Sequence, residues 1–178
     1  MAEDGLSRRR FLGRLATAGA ATLAVGCRTP PPLARPGLSL DAHELRLCAA
    51  ACERILPADR DPGAVELGVV GYIDRRLARR GRRPARARRA FRRGLGQLEA
   101  WTRKREGRSF IGLDPNRQDL ALASFGAEGG EDGKLFLHRL IVLTLEGTLG
   151  DPVYGGNRDK GGWRLVGFDA PCPNPRCE

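Results

Sequence analysis

The sequence has few of the residues from which metal and cofactor sites are usually built. It contains two histidines, His43 and His138, and aromatic residues make up 6% of its 178 positions. It has no Cys-x-x-Cys-His haem-attachment motif, no Gly-x-Gly-x-x-Gly fingerprint and no Gly-x-Ser-x-Gly nucleophile elbow. A zinc site needs about four ligands, and the two histidines lie far apart in sequence. We therefore expect no catalytic residue, no cofactor-binding residue and no metal ligand in this chain.

Acidic residues are outnumbered, and they are absent from the longest basic run. The chain has 31 Lys and Arg against 21 Asp and Glu, which gives a formal net charge of +10. Arginine occurs eleven times between Arg75 and Arg93, with no acidic residue among them. In a cytosolic protein such a run indicates a nucleic-acid-binding surface. It is also compatible with a solvated helix face, an anionic phospholipid surface or an acidic protein partner.

The first 26 residues have the pattern of an export signal. Two arginines are followed, after one residue, by Phe-Leu, which is the form of a twin-arginine motif. The uncharged Ala/Gly-rich run from Leu15 to Gly26 is shorter than the roughly 20 residues of a membrane-spanning helix. The pattern predicts a cleaved signal at residues 1–26, recognition by the twin-arginine translocase, a periplasmic location and no nucleic-acid partner. The motif residues are Ser7, Arg8, Arg9, Phe11 and Leu12.

Cys27 stands directly after the predicted signal. A cysteine that follows a small residue is typical of lipoprotein processing, although Ala24 and Gly26 also suit an ordinary signal peptidase. We predict that Cys27 is lipidated, and the alternative is a stray cysteine in a tail. Residues 27–38 are proline-rich and predict a semi-rigid tether. Together these features predict peripheral or lipid-anchored attachment to a membrane.

Helical periodicity dominates residues 39–168, and no stretch alternates long enough to indicate a β-strand. We therefore predict a single small all-α domain of about five helices at 39–168. Gly94 and Gly96 weaken the third helix by about 1 kcal/mol each relative to alanine. The first predicted helix has Ser39 as its N-cap and stops at Pro57, and the second has an apolar stripe from Val65 to Leu77 and is ended by Gly81 with Pro84. The third helix has Phe91, Leu95, Leu98 and Trp101 facing inward, and the fourth starts at Asp114-Pro115 with Leu120 and Ala123 facing inward. The last helix has Phe136, Leu140, Leu143 and Gly147 facing inward.

After Gly150 the helical period stops and glycine alternates with aromatic residues. A purely flexible tail rarely carries Trp, Tyr and Phe at close intervals, and aromatic residues on irregular backbone are typical of binding surfaces. We interpret this irregular arm as docking or structurally fixed. The predicted partner-docking residues are Asp151, Pro152, Tyr154, Gly155, Gly156, Asn157 and Trp163.

The cysteines divide into two pairs besides Cys27. Cys172 and Cys177, in the Pro/Cys tail at 169–178, could form a disulfide, part of a metal site or neither, and an oxidising compartment favours the disulfide. Cys48 and Cys52 are one helical turn apart on an apolar stripe. Because a disulfide within a regular helix is strained, we expect buried free thiols or bonds to other segments.

Two stretches of the sequence resemble a known family. These are residues 61–69 (Asp-Pro-Gly-Ala-Val-Glu-Leu-Gly-Val) and residues 150–159 (Gly-Asp-Pro-Val-Tyr-Gly-Gly-Asn-Arg-Asp), the second followed by Gly162-Trp163. From about Leu40 to Phe168 the chain is similar to gluconate 2-dehydrogenase subunit 3. It departs from that family at Asp169-Ala170, where a Pro-Gly turn is usual.

The resemblance implies a non-catalytic accessory subunit. Its partner would be an FAD-containing dehydrogenase of the glucose-methanol-choline type, acting on a sugar or sugar acid, in some cases with a cytochrome c subunit. The signal on the small subunit would carry the flavoprotein through the twin-arginine route. The alternative is a free-standing basic envelope lipoprotein without a dehydrogenase partner.

Overall fold

The computed structural model describes residues 37–168, and these residues form helices without any β-strand. The predicted all-α class is confirmed, with five long helices and one short one. The export-motif residues Ser7, Arg8, Arg9, Phe11 and Leu12 lie outside the described residues, as do Cys27, Cys172 and Cys177. The helices are α1 (Ala42–Ile55), α2 (Val69–Ala78), α3 (Arg82–Glu106), α4 (Pro115–Glu128), α5 (Gly130–Leu149) and α6 (Gly161–Leu165).

The core is built around α5, which contacts each of the other five helices. Its inward stripe was predicted correctly, since Phe136, Leu140, Leu143 and Gly147 are all buried. Phe136 lies between two other aromatic rings, with centroids 5.6 Å from Phe91 and 6.0 Å from Phe125. A low aromatic content therefore still supplies a continuous apolar centre, because the few rings that are present meet one another.

The first helix begins at a different cap from the predicted one. Asp41, not Ser39, is the N-cap: its Oδ1 accepts the backbone N–H groups of His43 at 2.9 Å and Glu44 at 2.8 Å. Glu44 Oε2 accepts the N–H of Asp41 in return at 2.9 Å, which completes a capping box. Ser39 instead donates its N–H to Asp74. The reciprocal pair decides the boundary because it satisfies more of the free N–H groups of the first turn.

Two further boundaries were predicted wrongly. Residues 64–68 form turns, and α2 starts at Val69 because Gly68 has a φ of 77°, outside the helical region. Pro84 lies in the first turn of α3 rather than ending α2. In that turn a backbone N–H has no intrahelical acceptor, so proline is tolerated there.

On α4 the cap was predicted correctly and the inward face was not. Asp114 accepts the N–H of Arg117 at 3.1 Å, and Pro115 is the first helical residue. Leu120 is 71% exposed and Ala123 is exposed too. The buried positions are offset by one or two residues because a polar side chain faces inward: the Gln118 amide donates to the Phe110 carbonyl at 3.0 Å. Besides Gln118, the inward face of α4 consists of Ala121, Leu122, Phe125 and Gly126.

Two buried carboxylates fix the loops of the domain. Asp74 of α2 accepts the backbone N–H groups of residues 38–40 at 2.6–2.9 Å, which holds the chain entering α1 against α2. Glu99 of α3 accepts the Phe110 N–H at 3.0 Å and pairs with Arg103 at 2.8 Å. Burial disfavours the charged form of Glu99, but the hydrogen bonds outweigh it and its pKa lies below the ordinary value.

The two glycines inside α3 provide a matched test of the packing. A Cβ at Gly94 would lie 2.1 Å from Phe136 Cδ2, whereas a Cβ at Gly96 would meet nothing within 4 Å. We expect Gly94→Ala to destabilise the fold by about 1–3 kcal/mol through overpacking. Gly96→Ala should stabilise it by about 0.5–1 kcal/mol through helix propensity. Urea unfolding measures both, and shifts of the same sign would contradict the packing described for α3 and α5.

Candidate functional site

The arm formed by residues 150–168 is ordered by short helical turns. Two 3-10 turns, Pro152–Tyr154 and Arg158–Lys160, precede α6. Asp151 begins the first turn, where its Oδ1 accepts the Val153 N–H at 2.9 Å. The arm was predicted as irregular, and it is better described as a series of single turns packed against the end of α5.

Hydrogen bonds from the arm satisfy the carbonyl groups at the end of α5. The last four carbonyls of an α-helix have no intrahelical partner. The Asn157 N–H donates to the Gly147 carbonyl at 2.7 Å, and its side-chain Nδ2 donates to the Gly150 carbonyl at 2.8 Å. Trp163 Nε1 donates to the Leu149 carbonyl at 2.7 Å. The arm is therefore a C-terminal cap for α5.

Asn157 is the central residue of this cap. The whole residue is buried, and its backbone adopts the left-handed conformation with φ 45° and ψ 45°. Asparagine tolerates this conformation better than most residues other than glycine. Its Oδ1 accepts the Gly162 N–H at 2.8 Å, so the same side chain joins α6 to the end of α5.

The glycines beside Asn157 and Trp163 allow the close approach of the two backbones. A Cβ at Gly156 would lie 2.1 Å from the Gly147 carbonyl oxygen. A Cβ at Gly162 would lie 1.8 Å from the Thr148 carbonyl oxygen. Because both obstacles are backbone atoms, neither position accepts a larger residue without moving the arm away from α5.

The arm is also held against α2. The Arg75 guanidinium donates to the Gly155 carbonyl, and the Arg158 N–H donates to the Leu67 carbonyl at 3.0 Å. Nearby, the Tyr72 hydroxyl donates to Glu146 at 2.9 Å. Burial and this hydrogen bond raise the pKa of Tyr72 above its ordinary value. The arm thus closes over the junction of α2 and α5.

The predicted docking residues divide into two groups. Gly156, Asn157 and Trp163 are buried inside the chain, where they fix the arm. The surface group contains Tyr154, which is 66% exposed, together with the half-buried residues Asp151, Pro152 and Gly155. Contact with a partner remains a prediction for the surface group, and the buried group acts by positioning it.

Sequence reasoning missed a second set of exposed apolar residues, on α5 itself. Four leucine or valine side chains on its outer side are 37–53% exposed. The signal is present in the sequence, because these residues recur at steps of seven, three and four, but the same helix also carries the more strongly apolar inward stripe. The four residues are Leu135, Val142, Leu145 and Leu149.

Cys48 and Cys52 are free and buried, as one of the two alternatives predicted. Their sulfur atoms are 3.9 Å apart, and Thr144 Oγ1 lies 3.4 Å from the sulfur of Cys52. The hydrogen bond with Cys52, together with burial, raises the pKa of the Cys48 thiol well above its ordinary value. Within residues 37–168, no group of three or more His, Cys, Asp and Glu side chains could hold a metal ion.

The structure described so far defines a small helical protein with a C-terminal arm fixed to its last long helix. The family model for gluconate 2-dehydrogenase subunit 3 matches residues 42–170, and the chain belongs to this family. The family is named as a subunit of a dehydrogenase, which agrees with an accessory role. Comparisons with curated proteins and with solved structures found no match. Among the described residues, no helix is both long and apolar enough to span a membrane.

The role of Asn157 can be tested by Asn157→Gly. Glycine adopts the left-handed backbone without strain, so this change removes the side-chain hydrogen bonds and little else. We expect a loss of about 2 kcal/mol of stability, because Gly150 O and Gly162 N–H lose their partners, and faster hydrogen exchange of amides in residues 156–163. Tyr154→Ala, at an exposed position, is the control and should leave exchange unchanged. Equal protection in wild type and Asn157→Gly would show that the side chain does not fasten the arm.

The free thiols give a second prediction. Because Cys48 and Cys52 are fully buried and the pKa of Cys48 is raised, both should resist alkylation by iodoacetamide at pH 8 in the folded protein. Both should react fully once urea unfolds the chain, as counted by mass spectrometry. Rapid labelling without denaturant would contradict the burial of this pair.

Proposed function

We propose that this protein is a non-catalytic accessory subunit that binds a flavin-dependent dehydrogenase and carries it through the twin-arginine route. The partner would be an FAD-containing enzyme of the glucose-methanol-choline type, acting on a sugar or sugar acid. The observation that carries the proposal is the family match over residues 42–170, since the family is named as a dehydrogenase subunit. A cytochrome c subunit in the same complex is part of the proposal.

The signal pattern supports the carrier role. The twin-arginine route transports folded proteins, so it suits a chain that must cross the membrane together with a folded partner. The motif at Ser7, Arg8, Arg9, Phe11 and Leu12 stands on a chain in which we expect no cofactor of its own. We infer that the mature protein is periplasmic and is attached to the membrane, through a lipidated Cys27 or through its partner.

The arm supports the binding role. Short interior hydrogen bonds fix it, so Tyr154 and Val153 are presented on a rigid backbone with 66% and 47% of their surfaces exposed. A rigid exposed aromatic side chain is a common anchor in protein interfaces, since little conformational entropy is lost when it binds.

The second candidate is a free-standing basic envelope lipoprotein. One observation favours it: within residues 37–168, most arginines of the 75–93 run have no carboxylate within ion-pair distance. Arg76 does lie 3.9 Å from Glu146, and Arg92 pairs with Glu44 at 2.6 Å. A basic face of this kind also suits anionic phospholipid.

Replacing the arginine pair tests the carrier role. In the native host, Arg8→Lys with Arg9→Lys should leave both this chain and its flavoprotein in the cytoplasm, because the translocase reads the pair. Arg10→Lys changes the neighbouring arginine and keeps the pair, so it should be exported normally. Cell fractionation, with flavin fluorescence and dehydrogenase activity as readouts, measures the distribution of both proteins. A flavoprotein that still reaches the periplasm with the double variant does not travel with this chain.

A further inference from the structure

The outer side of α5 carries a narrow apolar stripe in the folded chain. Leu135, Val142 and Leu149 are seven residues apart, and His138 and Leu145 stand between them at the three-residue step. All five residues are exposed, although α5 buries its opposite side in the core. We call these five residues the outer seam. At about 1.5 Å per residue it is roughly 21 Å long.

The spacing of the outer seam is that of a helix–helix contact. Apolar residues at alternating steps of three and four residues form the seam of a coiled coil, in which each side chain enters a hole on the facing helix. A helix that is apolar on two opposite sides usually has both sides covered. Isolated exposed leucines are ordinary, whereas a row of them on one helix marks an interaction surface.

A groove lined by arginines lies beside the outer seam. It is lined by Arg83, Arg86, Ala87 and Ala90 of α3 and by Arg139 of α5. Arg139 also lines an adjoining depression with Leu135, so the groove is continuous with the seam. Within the part of the chain that the structure describes, Arg83, Arg86 and Arg139 have no carboxylate within ion-pair distance.

The groove arginines of α3 lie near its amino end, where a positive charge is electrostatically unfavourable. Arg82 and Arg83 begin α3, whose first turn contains no acidic residue. The amino end of a helix carries a partial positive charge, so cations there are unfavourable and an approaching anion is favoured. The groove therefore presents a positive potential that a row of carboxylates would neutralise.

From this geometry we propose that the outer seam and the arginine groove bind one amphipathic α-helix of a partner protein. That helix would place apolar residues on the seam and carboxylates along the edge that faces Arg83, Arg86 and Arg139. This inference rests on the proposed function, in which the partner is the flavoprotein dehydrogenase, and it identifies the surface of this chain that the dehydrogenase contacts.

A second copy of this chain fits the surface less well. The chain has a net charge of +10, and the carboxylate within residues 135–149 is Glu146, which already engages Tyr72 and Arg76. A second seam would therefore offer Arg139 no free carboxylate. A membrane surface fits less well too, because helices that lie in the interface usually have a broad apolar side with Trp or Phe, and this seam is narrow and, apart from His138, aliphatic.

Photocrosslinking in the native host tests the apolar part of the surface. The full-length chain carries p-benzoylphenylalanine at Val142 or at Leu145, and the control carries it at Leu120, an exposed leucine on α4. We expect covalent adducts with the flavoprotein, identified by mass spectrometry, from positions 142 and 145 and not from 120. Adducts with a second copy, adducts with lipid, or flavoprotein adducts from position 120 alone would each overturn the assignment.

Charge reversal tests the arginine groove. Arg83→Glu with Arg86→Glu should weaken binding of the purified flavoprotein by about tenfold or more and should reduce its dependence on salt. The control is a change of the same charge at two exposed arginines outside the groove, Arg108→Glu with Arg60→Glu, and it should alter affinity less than about threefold. Equal losses in both variants would show that net charge, rather than this groove, attracts the partner. Circular dichroism shows whether each variant is folded.

The outcomes also separate this assignment from the proposed function. If wild-type chain isolated from detergent-solubilised host membranes carries no flavoprotein, the accessory role and the surface assignment both fail. If the flavoprotein is present but positions 142 and 145 give no adducts and the groove variants bind normally, the accessory role stands and the outer seam is not its interface.

Discussion

The hydrogen bonds between Asn157 and the end of α5 are the interaction on which the C-terminal arm of the structure depends. A helix end leaves carbonyl groups without partners, and burying them unpaired would cost on the order of 1–3 kcal/mol each. Asn157 and Trp163 supply donors to Gly147, Gly150 and Leu149 at 2.7–2.8 Å. Asn157 meets this need while adopting a left-handed backbone inside the protein, which turns the chain back toward α6.

This arrangement changes how the glycine- and aromatic-rich motif is understood. Gly156 and Gly162 allow backbones to approach, and Trp163 is 9% exposed, so these residues form the inside of a cap rather than a contact surface. The residues that the cap leaves outside, Tyr154 above all, are held in place by it. A partner can therefore contact the arm without first ordering it, and the entropic cost of association is smaller.

Sequence patterns predicted well those features that depend on local backbone chemistry. Asp114-Pro115 begins α4 as expected, and the inward stripe of α5 is correct, because capping and helical period are local properties. The failures differ in kind. Asp41 rather than Ser39 caps α1 because of the local Asp41–Glu44 capping box, whereas the inward face of α4 depends on a contact with another segment, the Gln118 hydrogen bond to Phe110. The burial of Asn157 could not be deduced either, since no local pattern shows that the chain after Gly150 folds back onto the end of α5.

The two sides of α5 are determined by different requirements, because one side is buried in the core and the other is exposed. Its inner side must fill the space between Phe91 and Phe125, so Phe136 and Leu140 are determined by packing within the chain. Leu145 and Val142 on the outer side are 47% and 37% exposed, and polar residues at those positions would increase solubility. Apolar side chains at those positions, next to arginines without an ion-pair partner among residues 37–168, are the surface on which we propose that the partner helix binds. The cap formed by the arm then has a further effect, because helix ends without such a cap tend to fray. By holding the last turn of α5, the arm keeps Leu149 in line with the rest of the outer seam. The proposed partner helix would therefore meet a seam that is already ordered at this end.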